Sequence, residues 1–306
     1  MSQTRHTTVL LGTRGSGLAV AQSRMVAEMI GPAVELVTFS TRGDRTVGAL
    51  TEVGGKGLFT AELEAALRGG AVQLAVHSAK DLPAEMEPDL VIAAVPPRED
   101  ARDVLVGPGG GLESLPQGAR IGTSSFRRGV QLKALRSDLE VLPLRGNVDT
   151  RLRKCREGQY DAIVLALAGL NRLGLSGSLA GQLHPLPVEQ VVPAAGQGAL
   201  ALQCLADNAA IRGLLAKIND PSSEQALHGE RWVVAKLKAS CHSSLGVHIR
   251  PSGGTWQGLA MASDTLGTRV IRVSSQGATA YEAAIGLYEQ LASAGAEALL
   301  ASPGPS

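Results

Sequence analysis

Basic residues recur where short apolar runs give way to turns: Arg14, Lys56, Lys80, Arg127, Arg128, Arg145, Arg151 and Arg172. In an open α/β sheet those junctions face the ligand crevice. A single surface arginine is ordinarily just solvated charge. Eight cations with this placement describe a ligand bearing many anionic groups, because a guanidinium grips carboxylate or phosphate through two parallel hydrogen bonds. The segment from His77 to Pro83 follows an apolar run and places Lys80 beside Asp81. Adjacent Lys and Asp are usually surface charge, but among cations Asp81 would be the rare carboxylate able to stabilise a cationic intermediate or move a proton. In Gly122-Thr123-Ser124-Ser125-Phe126-Arg127-Arg128, hydroxyl residues can cap a helix whose first turn carries two arginines. The helix dipole disfavours cations there. An anion held by the helix amides and both side chains would reverse that penalty; an ordinary N-cap followed by solvated arginines is the second reading.

Three cysteines, Cys155, Cys204 and Cys241, lie far apart with no Cys-x-x-Cys spacing, so neither a disulfide framework nor a zinc site is indicated. Cys241 sits in a small-residue loop, Ala239 to Ser244, next to His242 and near Lys236 and Lys238. A lone cysteine is more often filler than nucleophile, yet this loop permits a partly exposed, activated thiol. A Cys241–His242 hydrolase and a metal site from Cys241, His242 and His248 are weaker alternatives. Two glycine-rich stretches fail as nucleotide motifs. Around Gly54-Gly55-Lys56-Gly57, Leu50 takes the first glycine position of a phosphate loop and Gly57 stands where Ser or Thr must follow the lysine. In Gly12-Thr13-Arg14-Gly15-Ser16-Gly17 the glycines fall in the wrong order for a dinucleotide fingerprint.

The elements that must position these groups follow one grammar from Val9 to Leu205: a short β-rich run, a Gly or polar turn, then an amphipathic stretch. That is the alternation of an α/β fold. Examples are Thr8–Gly12 into Leu18–Ile30, helix-like Leu58–Arg68 before Gln73–His77, Arg120–Gly122 into Phe126–Leu135, and Ala162–Ala166 into Ala168–Leu173. Val91–Val95 and Val104–Val106 read as buried strands, and the intervening Pro96 to Asp100 as a crossover. A second crossover is expected near Val191–Gly198. After Pro221 the pattern changes to a long helix (Ser223–Lys238), three strands (Leu245–Ile249, Trp256–Ala262, Arg269–Ser274) and a last helix. There Tyr281, Ile285, Tyr288 and Ala292 form a stripe expected to pack on the small sheet. The expected domains are 1–96 with 197–216, then 101–192, then 220–300, with a disordered tail at 301–306.

The chain has 306 residues, 44% of them hydrophobic, enough for at least two cores. A net charge of +1 and 3% aromatics lack the basic excess and stacking rings of a nucleic-acid binder. No run approaches the roughly 20 apolar residues of a membrane span, and Met1–Thr8 does not resemble a signal peptide. A cytoplasmic, monomeric protein is expected.

In order and spacing, seven segments resemble the porphobilinogen deaminase family: Thr13-Arg14-Gly15-Ser16, Thr41-Arg42-Gly43-Asp44, Gly54 to Phe59, His77 to Pro83, Gly122 to Arg128, Leu144-Arg145-Gly146-Asn147-Val148, and Pro193 to Gly198. The resemblance implies an α/β fold of two lobes like type II periplasmic binding proteins plus a small C-terminal α+β domain. It implies a hydroxymethylbilane synthase of heme and porphyrin biosynthesis, a transferase that condenses four porphobilinogen molecules and releases the linear tetrapyrrole by hydrolysis. The family's dipyrromethane cofactor is thioether-bound to a loop cysteine, which falls here at Cys241. Its rings bear acetates and propionates, the anions that the cations call for. By this resemblance Lys80, Arg127, Arg128 and Arg151, with Ser78, Thr123 and Ser125, hold the cofactor carboxylates. Arg14 and Arg145 orient the monomer, and Arg172 helps to move the chain. Asp81 faces the pyrrole nitrogens and stabilises the cation left by departing ammonia, while Phe59 covers the site on the Lys56 loop. Departures cluster at the cysteine, where Ser240, His242, Ser243 and Ser244 replace the family's usual residues, and at Asp149, an added negative charge near Arg151. The alternative is a two-lobed carboxylate-binding protein that does no chemistry.

Overall fold

The computed structural model describes residues 8–42, 58–239 and 243–301. Among them the strands are β1 (Val9–Arg14), β2 (Val34–Phe39), β3 (Leu74–Ser78), β4 (Leu90–Ala94), β5 (Asp103–Val106), β6 (Arg120–Gly122), β7 (Glu140–Leu142), β8 (Ala162–Ala166), β9 (Leu183–Pro185), β10 (Leu200–Leu205), β11 (Ser244–Ser252), β12 (Thr255–Ser263) and β13 (Val270–Gly277). The helices are α1 (Gly17–Ile30), α2 (Ala61–Arg68), α3 (Phe126–Leu135), α4 (Val148–Arg156), α5 (Leu167–Arg172), α6 (Ala209–Leu215), α7 (Pro221–Lys236), α8 (Ala280–Ser293) and α9 (Ala296–Ala301). No helix among the described residues is long and apolar enough to cross a membrane.

Local chemistry starts and stops these elements. Ser16 caps α1 by accepting the Ala19 N–H at 3.3 Å, and Gly31, with φ of 119°, ends it in a conformation that favours glycine. Asn147 caps α4 by accepting the Thr150 N–H at 2.9 Å. Short, apolar β1, β3, β5 and β8 are largely buried, as strands covered on both faces must be.

Two five-stranded sheets share one plan. The first runs β2-β1-β3-β10-β4 and the second β7-β6-β8-β5-β9. In each, three parallel strands are followed by one antiparallel strand drawn from elsewhere in the chain, β10 in the first and β5 in the second. This is the two-lobed α/β architecture of type II periplasmic binding proteins. The antiparallel sheet β11-β12-β13, with α8, forms the additional small domain. The chain divides into two compact units, Met1–Arg98 with Ala199–Glu224 and Glu99–Gly198 with Gln225–Ser306. The second unit holds both the second sheet and the three-stranded one. Within it the buried Glu230 of α7 accepts the Gly196 N–H at 2.6 Å and the Ile249 N–H at 2.8 Å, tying helix, connecting segment and β11 together.

The short strands β2, β7 and β9 lie at sheet edges and escape the sequence grammar because they are at most half-buried. The stripe expected for the last long helix is corrected. Ala280, Ala283, Ala284, Leu287 and Leu291 of α8 enter the core, whereas Tyr281 is 52% exposed. Small side chains win the inner face because the helix approaches the sheet closely: a Cβ at Gly258 would lie 2.8 Å from Leu287. Tyr281 and Tyr288 instead meet Trp232 edge-on, with centroids 5.3 and 5.6 Å away. Ala301, expected in the tail, closes α9, and residues 302–306 lie outside the described residues. Leu287→Ala is expected to cost about 2–5 kcal/mol of stability and Tyr281→Ala about 1 kcal/mol. Urea unfolding of the two variants measures the difference.

Candidate active site

In the first unit, β1 ends at Arg14 and β3 at Ser78, both parallel strands of one sheet. Ser78 leads into a single 3-10 turn, Ala79–Asp81, which the Leu82 N–H closes onto the Ala79 carbonyl at 3.3 Å. Lys80 and Asp81 therefore project from a turn fixed at both ends, since the Ala79 N–H also donates to Ala199 O at 3.0 Å. Arg14 Nη1 stands 3.8 Å from Asp81 Oδ2, and its guanidinium lies 4.2 Å over the centre of the Phe59 ring. The structure thus brings Arg14, Phe59 and Asp81 together. Asp81 keeps about a third of its side-chain surface in solvent, so it is reachable. Ser78 exchanges hydrogen bonds with the Gln22 amide at 3.1 and 3.2 Å.

In β3, one residue before Ser78, His77 is buried and shares a 2.9 Å hydrogen bond with Gln203 Oε1. Gln203 Nε2 donates to Glu64 at 3.3 Å, which leaves its oxygen to accept from the imidazole Nε2–H of neutral His77. Burial pushes the His77 pKa down to about 4 despite that bond, and the charge of Arg14 pushes the same way.

In the second unit, the turn after β6 is held by reciprocal bonds: Ser124 Oγ donates to Leu144 O at 2.9 Å and accepts the Leu144 N–H at 3.0 Å. Thr123 Oγ1 accepts the Ser125 N–H at 3.2 Å, and Ser125 caps α3 by accepting the Arg128 N–H at 3.4 Å. Arg127 and Arg128 follow in the first turn, and neither is a solvated surface arginine: they are 5% and 7% exposed. Fully buried Asp103 binds both, at 2.7 Å to Arg127 Nη1 and 2.7 Å to Arg128 Nη2. The anion that offsets the dipole penalty is therefore supplied by the protein. Burial pushes the Asp103 carboxyl up, but the two guanidiniums outweigh it and hold Asp103 well below the usual carboxylate range.

Arg127 Nη1 also donates to Val192 O at 2.6 Å. Arg128 uses Nε on Asp103 at 2.9 Å and Nη1 on Val164 O at 3.1 Å, so all three of its nitrogens face protein. Arg145, after β7, is exposed, and Arg151 of α4 donates from Nε to Gly146 O at 2.7 Å. Arg172, at the end of α5, donates from Nη2 to Gly198 O at 2.7 Å, while its Nε is buried with no hydrogen-bond partner. Burial lowers the Arg172 pKa to about 10, against the opposing charge of Glu99. Asp149 lies exposed in the first turn of α4, where a carboxylate suits the helix dipole. Lys56 and Cys241 lie outside the described residues.

Sequence reasoning missed Asp103, Gln22, Gln131 and Gln197. Asp103 had a signal: it opens a wholly buried four-residue strand, a costly place for a carboxylate without a cationic partner. The donor set fits a polyanion. Two guanidiniums against one carboxylate leave a net positive charge, and the buried Arg172 Nε lacks an acceptor.

Two five-stranded sheets of one plan, with cations after their parallel strands and a small α+β domain beyond them, define an α/β protein of the type II periplasmic-binding-protein architecture. The methionine-binding protein MetQ is a structural neighbour at 12% identity, covering 72% of this chain and 93% of its own, with a TM-score of 0.42. Residues 9–213 match the family model described as porphobilinogen deaminase, dipyromethane cofactor binding domain. The porphobilinogen deaminase of Roseiflexus sp. (strain RS-1) is 43% identical over 96% of this chain and 99% of its own. That of Roseiflexus castenholzii is 45% identical over 95% and 98%, and porphobilinogen deaminase 1 of Streptomyces coelicolor 42% over 92% of each. The chain belongs to the porphobilinogen deaminase family.

Asp103→Asn, which leaves two buried guanidiniums without a carboxylate, is expected to cost about 3–5 kcal/mol in urea unfolding at pH 7. For His77, whose folded pKa lies below the unfolded value, the unfolded chain takes up the proton first as pH falls. Stability from this group is complete above about pH 6.5 and lost down to about pH 4, by roughly 3 kcal/mol. His77→Gln should flatten that stretch of the stability–pH curve, read as the urea midpoint at half-unit pH steps.

Proposed function

We propose that this chain is a hydroxymethylbilane synthase that joins four porphobilinogen molecules head to tail with loss of ammonia and releases the linear tetrapyrrole by hydrolysis. The observation that carries this reading is the Arg14–Asp81 pair at adjacent parallel strand ends, within the segment that matches the family model. A dipyrromethane, bound by thioether through Cys241, supplies the terminal pyrrole carbon to which the first monomer is joined.

The residues of this chain do the rest. Arg14 and Arg145 bind the carboxylates of the incoming porphobilinogen. Phe59, stacked beneath Arg14, keeps that guanidinium in place and shields the reacting carbon from water. Asp81, at 3.8 Å from Arg14, has a carboxylate oxygen to spare for the pyrrole N–H, where it balances the positive charge that grows as ammonia departs. The same carboxylate takes the proton that the condensation releases. Ser78, Lys80, Thr123, Ser125 and Arg151 donate to the cofactor carboxylates. Arg127 joins them through the part of its guanidinium that Asp103 and Val192 leave unused, and Arg128 contributes charge from its fixed position. Arg172, with its unpartnered Nε, takes a carboxylate of the lengthening chain. This reading makes the protein a cytoplasmic monomer.

The test is the intact denatured mass with peptide mapping, because a thioether survives unfolding. A mass excess of two linked porphobilinogen-derived rings on the Cys241 peptide is expected. An unmodified mass after incubation with porphobilinogen would favour the non-catalytic carboxylate-binding protein. Asp81→Asn should keep fold and adduct while turnover falls by about two to four orders of magnitude; wild-type turnover would remove Asp81 from its role. Arg127→Leu leaves Asp103 balanced by Arg128, so it should fold and yet acquire no adduct.

A further inference from the structure

Gln131 of α3 lies one turn beyond Arg127 and is 1% exposed. An amide offers two donor hydrogens and an oxygen with two lone pairs, and here all four are used. Nε2 donates to Arg127 O and to Val192 O, both at 3.1 Å. Oε1 accepts the Val192 N–H at 2.8 Å and Arg272 Nη1 at 3.1 Å. The side chain therefore grips the N–H and C=O of Val192 as a neighbouring strand would. That carbonyl is also the one that receives Arg127 Nη1 at 2.6 Å.

The segment so held has a second load. The Val247 N–H of β11 donates to Pro193 O at 3.0 Å. A Cβ at Gly246 would stand 2.7 Å from Val192 O, so β11 lies directly against the same carbonyl. Arg272 comes from β13 of that sheet, and its Nη2 donates to Glu189 O at 2.6 Å. In the sequence, β11 begins three residues after Cys241.

We propose that Gln131 is a positioning residue for cofactor assembly: through Val192 and Arg272 it fixes the Arg127 guanidinium relative to the strand that follows the cysteine loop. This rests on the proposed function, in which Arg127 holds a cofactor carboxylate and Cys241 carries the cofactor. Gln131 touches neither cofactor nor substrate; it acts through Arg127.

The test loads protein made without porphobilinogen. Wild type and Gln131→Met are incubated with porphobilinogen well below both melting temperatures, and the gain of two rings is followed by intact mass. Gln131→Met should load about tenfold more slowly, the factor that one lost buried hydrogen bond is worth. Once loaded, it should show a several-fold lower kcat with KM for porphobilinogen within about twofold, because the incoming monomer is held by other residues. Loading at the wild-type rate, with only a lower melting temperature, would leave Gln131 a purely structural residue and overturn the proposal. Should Gln131→Met fail to fold, Arg272→Met decides: slower loading supports the proposal and wild-type loading overturns it. A wild-type chain that gains no mass overturns the proposed function and this inference with it; equal loading of wild type and variant overturns the inference alone.

Discussion

One carboxylate under two guanidiniums organises the second unit. Asp103 is fully buried, and a buried carboxylate without partners would be untenable. Its partners are the two arginines that the sequence places where the dipole of α3 repels them. Each difficulty is the remedy for the other. Gln197 adds a hydrogen bond to Asp103 at 2.9 Å and another to Ala101 O at 2.7 Å, so the segment around 197 is fastened to the start of β5. Val192 and Gln131 complete the enclosure around Arg127.

The first unit treats its acid differently. Asp81 stands at a looser 3.8 Å from Arg14 and retains contact with water. Asp103 is saturated and Asp81 is not, so one carboxylate is architecture and the other is available for proton transfer. His77, in the strand that leads into the Asp81 turn, is bonded to Gln203 and stays uncharged, so it adds no competing positive charge. Here the environment, more than the residue type, assigns the role.

Much of this is legible in the amino-acid sequence. The alternation of apolar runs and turns reveals the α/β fold because parallel strands buried on both faces are mostly apolar, as in residues 74–76 of β3 and in Ala162–Ala166. The cations after those strands are legible for the same reason: each is the first charge after an apolar run. Edge strands such as Glu140–Leu142 are not legible, since half-exposure erases the pattern. Nor is the inner face of α8, where alanines outcompete tyrosines for the space against the sheet. The hardest features were glutamines. Gln22, Gln131 and Gln197 carry no charge and no periodicity, and their meaning comes from partners that only the fold brings within reach.

The borrowed antiparallel strand in each sheet gives the two lobes different histories on the ribosome. In the second sheet the odd strand, β5, is synthesised first, so its two neighbours, β8 and β9, meet a partner already made. In the first sheet the odd strand, β10, separates β3 from β4 but is synthesised after the whole of Glu99–Gly198. The amino-terminal lobe thus emerges first and is completed last. Until Leu200–Leu205 arrives, β3 and β4 each present an unpaired edge to whatever is nearby, and in a nascent chain that interval is when aggregation competes with folding.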